Sequence, residues 1–476
     1  MKRYENVNLP IELIKFLNLP FGFSLLIKGM AGTGKTSLAL AILKESLKND
    51  NTPIYISTRV MPNLIKLQYP WLENYIEKIR FIDASNVDLM LPSQDTIKNL
   101  KNKLKFQNTP DFFVKIFEFT ENIENCTIVI DSWNAVAEAG INNGQFEKNR
   151  IEPVLTELVR QHNFKLVFVL EDSNENFMDY LVDGVLILNN SRYYNRRIRT
   201  IEIQKIRGIK NIQPEYLYTL NDAKFRYFPP FKFNFPEILI RPEPIPDPNK
   251  NYISTGMPDF DILTDGGFEK GSWNLIEIAH GIGEASYSIL IPIMVNHLNL
   301  ERGLVAILPE GISPVIFNKY LEGFVGKERL RKLISTINIG IEKSNLNLTQ
   351  DNVDYTEEDF KLIDEKIAHY NDEFGWPVLT FLGLGSLQHI YNENDLIRTI
   401  AKQIAKSRAG DNITIVQTQE NQNLIKNLCH MVSTHWKLDL VNKALVLYGI
   451  RPETEINSIV SDASEGYINT RLIPIV

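Results

Sequence analysis

The chain has 476 residues, enough for two or three domains. Its 44% hydrophobic and 23% charged content is that of an ordinary folded protein, and a net charge of −7 gives no global pull toward nucleic acid or an anionic membrane. Two cysteines, Cys126 and Cys429, exclude a disulfide framework; no apolar run reaches membrane-spanning length, and the opening residues lack the apolar core of a signal peptide. A soluble cytoplasmic protein is the expectation.

Leu13, Ile14, Phe16 and Leu17 predict a short first helix. The run Leu25-Leu26-Ile27 predicts a buried strand, and it leads into Gly29-Met30-Ala31-Gly32-Thr33-Gly34-Lys35-Thr36. This is G-x-x-x-x-G-K-[ST], the phosphate-binding loop, with a helical pattern from Ser37 to Lys48 behind it. Glycines let successive backbone N–H groups point into one concavity, and the helix N-terminus adds partial positive charge. Gly29, Met30, Ala31, Gly32, Thr33, Gly34, Lys35, Thr36 and Ser37 are therefore assigned to a nucleotide. Lys35 acts at the β- and γ-phosphates and Thr36 at a magnesium ion, which makes Mg–ATP the expected ligand.

A buried strand follows at Pro53-Ile54-Tyr55-Ile56-Ser57-Thr58, and another strand at Ile79-Arg80-Phe81-Ile82-Asp83. Residues 84–110 resist assignment, and 112–120 have helical spacing. Cys126-Thr127-Ile128-Val129-Ile130-Asp131 is an apolar strand ending in an acid, so Asp131 is the second expected magnesium ligand. Lys165-Leu166-Val167-Phe168-Val169-Leu170 is a further strand, and the alternation of strands and helices predicts a mostly parallel α/β sheet covered on both faces. Val185-Leu186-Ile187-Leu188 and the run Ile198 to Gly208 then predict an antiparallel hairpin. It is dense in charge, with Arg192, Arg196, Arg197, Arg199, Lys205, Arg207 and Lys210 around Tyr193 and Tyr194.

The phosphate loop, the strand ending at Asp131, the basic hairpin and its close Lys205-Ile206-Arg207-Gly208 together resemble the KaiC-like branch of the RecA-superfamily ATPases. The segments Leu17-Asn18-Leu19-Pro20-Phe21-Gly22-Phe23-Ser24 and Ile56-Ser57-Thr58-Arg59 are similar to the GvpD family of archaeal gas-vesicle regulators. The resemblance implies a ring-like homo-oligomer, often hexameric, in which Lys205 and Arg207 reach a neighbour's γ-phosphate. It also implies control of gene expression through a protein partner. One departure stands out. Where KaiC-like ATPases carry a pair of glutamates that activate water, this chain has Arg59 and Val60. Arginine cannot act as a base but can hold a phosphate. Glu171 and its neighbour Asp172 are the nearest substitute carboxylates, and Glu171 is taken as the candidate base.

Pro229-Pro230 and the proline-dense run from Arg241 to Pro248 predict a semi-rigid linker, which gives domains at 1–230 and 251–476 with a connection at 231–250. Beyond it, Ile253-Ser254-Thr255-Gly256-Met257-Pro258 and Asp265-Gly266-Gly267-Phe268 look like the start of a second KaiC-type domain. Laying Gly271 to Ser286 on Gly22 to Ser37 keeps Gly281 and Gly283, but puts Ile278 on Gly29, Glu284 on Lys35 and Ala285 on Thr36. Two unit charges about 4 Å apart interact by about 4 kcal/mol at an effective dielectric of 20, so exchanging lysine for glutamate is a swing of up to about 8 kcal/mol. The strand Val378-Leu379-Thr380-Phe381-Leu382-Gly383 ends without an acid. The second half is therefore expected to be a RecA-like pseudo-domain that binds no Mg–ATP. Leu304 to Leu308 and Ile413 to Gln417 predict core strands, and Ala444 to Tyr448 a strand closing the sheet. Residues 351–372 predict a solvated acidic helix face, and Cys429, His430 and His435 lack zinc spacing.

Three functions compete on these residues. One is an ATP-binding regulator, a switch with weak or absent hydrolysis. The second is a working RecA-like ATPase with Glu171 or another carboxylate as base. The third is nucleic-acid binding through the hairpin 192–210, which the acidic balance of the chain disfavours.

Overall fold

The computed structural model describes residues 8–49, 51–84, 123, 125–136, 159, 164–172, 174, 176–337, 339, 355–420 and 424–476. The expected helix at 112–120 and the unassigned stretch 85–110 lie outside these. Two compact units emerge: Lys2–Pro229, with which Ile475–Val476 cluster, and Pro230–Pro474.

Among the described residues of the first unit nine strands form one sheet. In chain order they are β1 (Phe23–Gly29), β2 (Thr52–Ser57), β3 (Arg80–Asp83), β4 (Cys126–Asp131), β5 (Lys165–Leu170), β6 (Gly184–Tyr193), β7 (Arg196–Ile206), β8 (Glu215–Thr219) and β9 (Arg226–Phe228). Their spatial order is β3-β2-β4-β5-β1-β6-β7-β8-β9. Pairing is parallel from β3 through β6 and antiparallel from β6 to β9. Strand β1 is buried at every position, as a central strand covered on both faces must be. Its alternate residues serve two cores. Leu25 and Ile27 join Val129, Val167 and the helix residues Leu38 and Ile42, while Leu26 joins Ile128, Ile130 and Phe168. The expected hairpin is β6–β7. Tyr194 and Asn195 at its tip both have positive φ, the turn that matches strand twist.

The second unit opens on a two-stranded ribbon, β10 (Tyr252–Ile253) with β11 (Phe268–Glu269). Its main sheet comprises β12 (Trp273–Ile278), β13 (Leu304–Ile307), β14 (Ile334–Thr336), β15 (Leu379–Gly383), β16 (Ile413–Gln419), β17 (Thr434–Val441), β18 (Ala444–Arg451), β19 (Asn457–Asp462) and β20 (Asn469–Pro474). The order is β14-β13-β15-β16-β12-β17-β18-β19-β20, position for position that of the first sheet. Even the irregularity in the hairpin recurs, between Val185 and Leu186 and again between His435 and Trp436. The architecture is two tandem RecA-like P-loop NTPase domains of the α/β class, the second degenerate.

One expectation about the second sheet is corrected. The run from Ala444 to Tyr448 does not close it, because β19 and β20 add two further antiparallel strands. The pattern of β20, with Thr470 and Leu472 inward and Asn469 and Arg471 outward, is that of a half-exposed edge strand. The acidic helix Tyr355–Phe374 buries Phe360, Ile363 and Tyr370 and turns its Asp364 to Lys406 at 2.8 Å. Residues 231–248 form neither helix nor strand, yet they lie along the second unit. Phe233 and Phe235 pack on Tyr287, Tyr320 and Phe324, and Asp247 pairs with Arg302 at 2.7 Å. Proline keeps this strap extended, and the aromatic contacts hold it down.

Candidate functional site

The loop 29–36 leaves the C-terminal end of β1, at the centre of the sheet. Gly29 has φ 154°, and a Cβ there would lie 2.6 Å from Leu188 O and 2.8 Å from Thr33 Oγ1. Gly34, at φ 88°, begins the helix Lys35–Ser46, and a Cβ on it would meet Leu220 at 2.7 Å. Gly29 needs glycine for conformation and for space, and Gly34 for conformation. Around the loop sit groups that fix its backbone. Gly29 N donates to Asp172 O (3.0 Å), Arg199 Nη1 to Gly32 O (2.9 Å), Thr33 Oγ1 to Met30 O (2.8 Å), and Tyr218 OH to Thr33 O. Arg199 is thus a buried brace of the loop and is not part of the exposed basic surface of the hairpin.

The reactive side chains converge on this edge. Lys35, 7% exposed, donates from Nζ to Gly29 O (2.7 Å) and Met30 O (2.8 Å), so its ammonium lies folded on the loop. Burial lowers its pKa, with Glu171 and Asp131 opposing that shift and Arg59 adding to it. Thr36 Oγ1 donates to Asp131 Oδ2 at 2.7 Å, which joins the two expected magnesium ligands. The same oxygen accepts from Tyr55 OH at 2.6 Å, and burial together with Asp131 raises the Tyr55 phenol well above its usual value. Ser37 Oγ and Tyr69 OH lie 3.3 Å apart. Arg59, just beyond β2, forms an ion pair with Glu171, just beyond β5.

The remaining sequence candidates stand elsewhere. Gly29 pairs with Leu188 on β6, whereas Lys205 pairs with Val185, three residues back toward the start of that strand. Lys205 Nζ donates to Asp179 O (2.8 Å) and Val182 O (2.6 Å), and Arg207 Nη1 to Asp183 Oδ1 (3.0 Å). Within one chain neither is brought to the loop. Sequence reasoning missed Tyr55, Tyr69, Tyr218 and the role of Arg199. A tyrosine inside an apolar strand reads as core, and only the strand order puts its hydroxyl against Asp131.

In the second unit the same strand register locates the counterparts. Ile27 pairs with Val169, which pairs with Asp131. Ile276 pairs with Gln417, which pairs with Gly383. The position of Asp131 is thus taken by Gly383, where a Cβ would lie 2.4 Å from Pro309 N and 2.5 Å from Pro309 Cα. Two residues beyond the positions level with Asp131 and Gly383 on the neighbouring strands, Arg59 and Glu171 become Glu310 and Gln419. Gly281 and Gly283 keep positive φ, at 82° and 49°. A cavity of about 250 Å³ persists there, lined among others by Gly283, Glu284, Glu310, Gln417 and Gln419. Glu284 accepts from Tyr320 OH (3.3 Å), and Glu310 pairs with His389 (2.8 Å). Even the buried Lys28 of β1, paired with Asp179 at 2.7 Å, has an acid as its counterpart. That acid, Glu277, pairs with His435 at 2.9 Å and Lys437 at 3.4 Å. Burial pushes the Glu277 carboxyl up, and the two bases outweigh that and hold it below the usual range.

The loop and its flanks decide the kinship of the first domain. Residues 13–204 match the family described as GvpD gas vesicle protein, P-loop domain. The chain is 23% identical to Protein GvpD2 of Halobacterium salinarum over 96% of its own length and 94% of that protein's. It is 26% identical to Protein GvpD1 of the same organism over 66% of its length, which spans 58% of that relative. A circadian clock oscillator protein KaiC from Picosynechococcus sp. is 26% identical over 58% of this chain, and the match spans about half, 52%, of that protein. The resemblance to the KaiC-like and GvpD-like branch of the RecA superfamily holds, and the chain carries a P-loop ATPase-type domain. Among the described residues no helix is long and apolar enough to cross a membrane.

Proposed function

We propose that the first domain binds Mg–ATP and works as a nucleotide-dependent switch of the KaiC and GvpD kind, with slow hydrolysis. The observation that carries this reading is the convergence of a complete phosphate loop, the Thr36–Asp131 pair and the Arg59–Glu171 pair on one sheet edge. The residues suit the ligand. The loop is a cradle of left-handed glycines, and the Lys35 ammonium rests on carbonyls that a phosphate can replace as its partner. Thr36 and Asp131 would hold the magnesium ion, which when bound neutralises phosphate charge. Residues 29–37 would hold the phosphates, with Lys35 and Arg59 nearest the γ-phosphate. A switch needs only contacts that differ between triphosphate and diphosphate, and these two cations supply them.

Lys205 and Arg207 suit the phosphate of a second copy, since in their own chain they bond to residues 179–183 on the flank of the hairpin. The reading is thus of a cytoplasmic homo-oligomeric ring in which nucleotide state controls docking of a protein partner, in regulation of gene expression. The second domain takes no part in ATP binding, because its lysine, its hydroxyl and its aspartate positions are Glu284, Ala285 and Gly383.

The test is the fate of bound nucleotide. Protein is loaded with Mg–ATP, freed of excess, denatured at intervals, and its ATP and ADP are separated. ATP that stays intact for hours supports the switch. Conversion within seconds replaces it with the second reading, a working ATPase, which the presence of Glu171 at the site favours.

A further inference from the structure

Arg59 and Glu171 belong to loops that follow β2 and β5, and β4 lies between those strands with Asp131 at its end. Their ion pair therefore spans the edge of the sheet at which Lys35 and Asp131 stand. The backbones on both sides are anchored. Thr58 N donates to Asp131 O (2.8 Å), Ser132 N to Thr58 Oγ1 (2.8 Å), and Glu171 N to Asn134 Oδ1 (2.9 Å). The side chains are not anchored in this way. They are 46% and 39% exposed, so the pair faces solvent and can open.

We infer that Glu171 is a general base kept idle by Arg59, which makes Arg59 a brake on hydrolysis; this rests on the ATP-binding reading above. A base needs a carboxylate oxygen free to meet water. A guanidinium bonded to Oε2 occupies that oxygen and fixes the direction of the carboxylate. A γ-phosphate arriving at the loop adds a second anion for the same guanidinium. Arg59 has five donors and can hold phosphate and Glu171 together. The bound state is then an ATP molecule beside a base that water cannot use. Anything that draws Arg59 away frees Glu171. Water oxygen then bonds to the γ-phosphorus, and the bond from that phosphorus to the β–γ bridging oxygen breaks with its electron pair staying on ADP. The water proton passes to the Glu171 carboxylate.

The test compares wild type, Arg59→Ala, Arg59→Lys and Arg59→Ala/Glu171→Gln in single-turnover hydrolysis of saturating Mg–ATP, with binding measured separately on each. Removing the brake raises the hydrolysis rate of R59A at least ~10-fold, within the ~10²- to 10⁴-fold that a positioned base contributes. R59K, which keeps a cation opposite Glu171, gains less than R59A, and the double variant loses the gain of R59A. An R59A rate equal to or below wild type overturns the inference, as does a gain that survives Glu171→Gln. Arg59 also faces the γ-phosphate, so R59A binds ATP more weakly, and the rates compared are those of the bound ATP alone. Failure of the underlying ATP-binding reading is seen separately, as absent binding in wild type.

Discussion

The two domains share one topology and hold opposite charges at corresponding places. Lys28, Lys35 and Arg59 in the first become Glu277, Glu284 and Glu310 in the second. A sheet order and a hairpin irregularity survive this exchange, while the lysine, hydroxyl and aspartate of the first loop and its neighbouring strand do not. The lesson is that the fold rests on apolar alternation, which both sheets keep, and the site rests on a few charges at strand ends and in the loop, which can be exchanged without changing that alternation. Buried charges obey a stricter rule. Lys28 and Glu277 each keep a partner of opposite sign, because an unpaired charge there would be costly.

The largest effect that would break the comparison is in the first loop. Lys35→Ala/Thr36→Ala should abolish Mg–ATP binding by the whole chain. A lysine–phosphate contact of about 4 kcal/mol corresponds to roughly 10³-fold in affinity before the hydroxyl is counted. Isothermal titration checks this, and residual stoichiometric binding would show that the second loop still works.

Next comes the converse exchange. Glu284→Lys/Ala285→Thr should give the second domain no Mg–ATP binding, since Gly383 leaves the metal without its acid. Supplying that acid as Gly383→Asp should destabilise the domain by roughly 1–3 kcal/mol, because the new Cβ would sit 2.4 Å from the backbone of Pro309. Thermal unfolding measures the loss. Binding by the triple variant with unchanged stability would mean that the second site was switched off by charge alone.

The smallest contrast is in acid sensitivity. His297 in the second domain is buried, with Nε2 at 3.1 Å from Gly303 O. Burial first, then Arg302, lowers its pKa to about 3, against the opposing pull of Gly303 O and Asp247. Below the ordinary histidine value of about 6.5, the unfolded chain takes up a proton that the folded domain refuses. Stability is therefore lost as pH falls, by about 2–3 kcal/mol between pH 6.5 and 4.5. The first domain has one histidine, His162. Denaturant melts at the two pH values should show the second transition moving and, in His297→Asn, moving less.

Sequence alone determined what depends on neighbours in the chain. The spacing of Gly29, Gly34, Lys35 and Thr36 specifies a phosphate loop because its N–H groups come from consecutive residues. Two apolar strands ending at Asp131 and Leu170 made the sheet legible, and the repeat at Gly281 and Gly283 made the second domain so. The tertiary structure decided what depends on strand order. Arg59 and Glu171 lie 112 residues apart, and only the placement of β4 between β2 and β5 brings them face to face. Absence of an acid at Gly383 was readable. Its steric cause, the backbone of Pro309 against that glycine, was not. Tyr55 and Arg199 read as core and as surface, and the structure gave both to the phosphate loop and its aspartate. Local geometry is written in spacing, whereas contacts between strand ends are set by which strands become neighbours, and that choice belongs to the packing of the whole sheet.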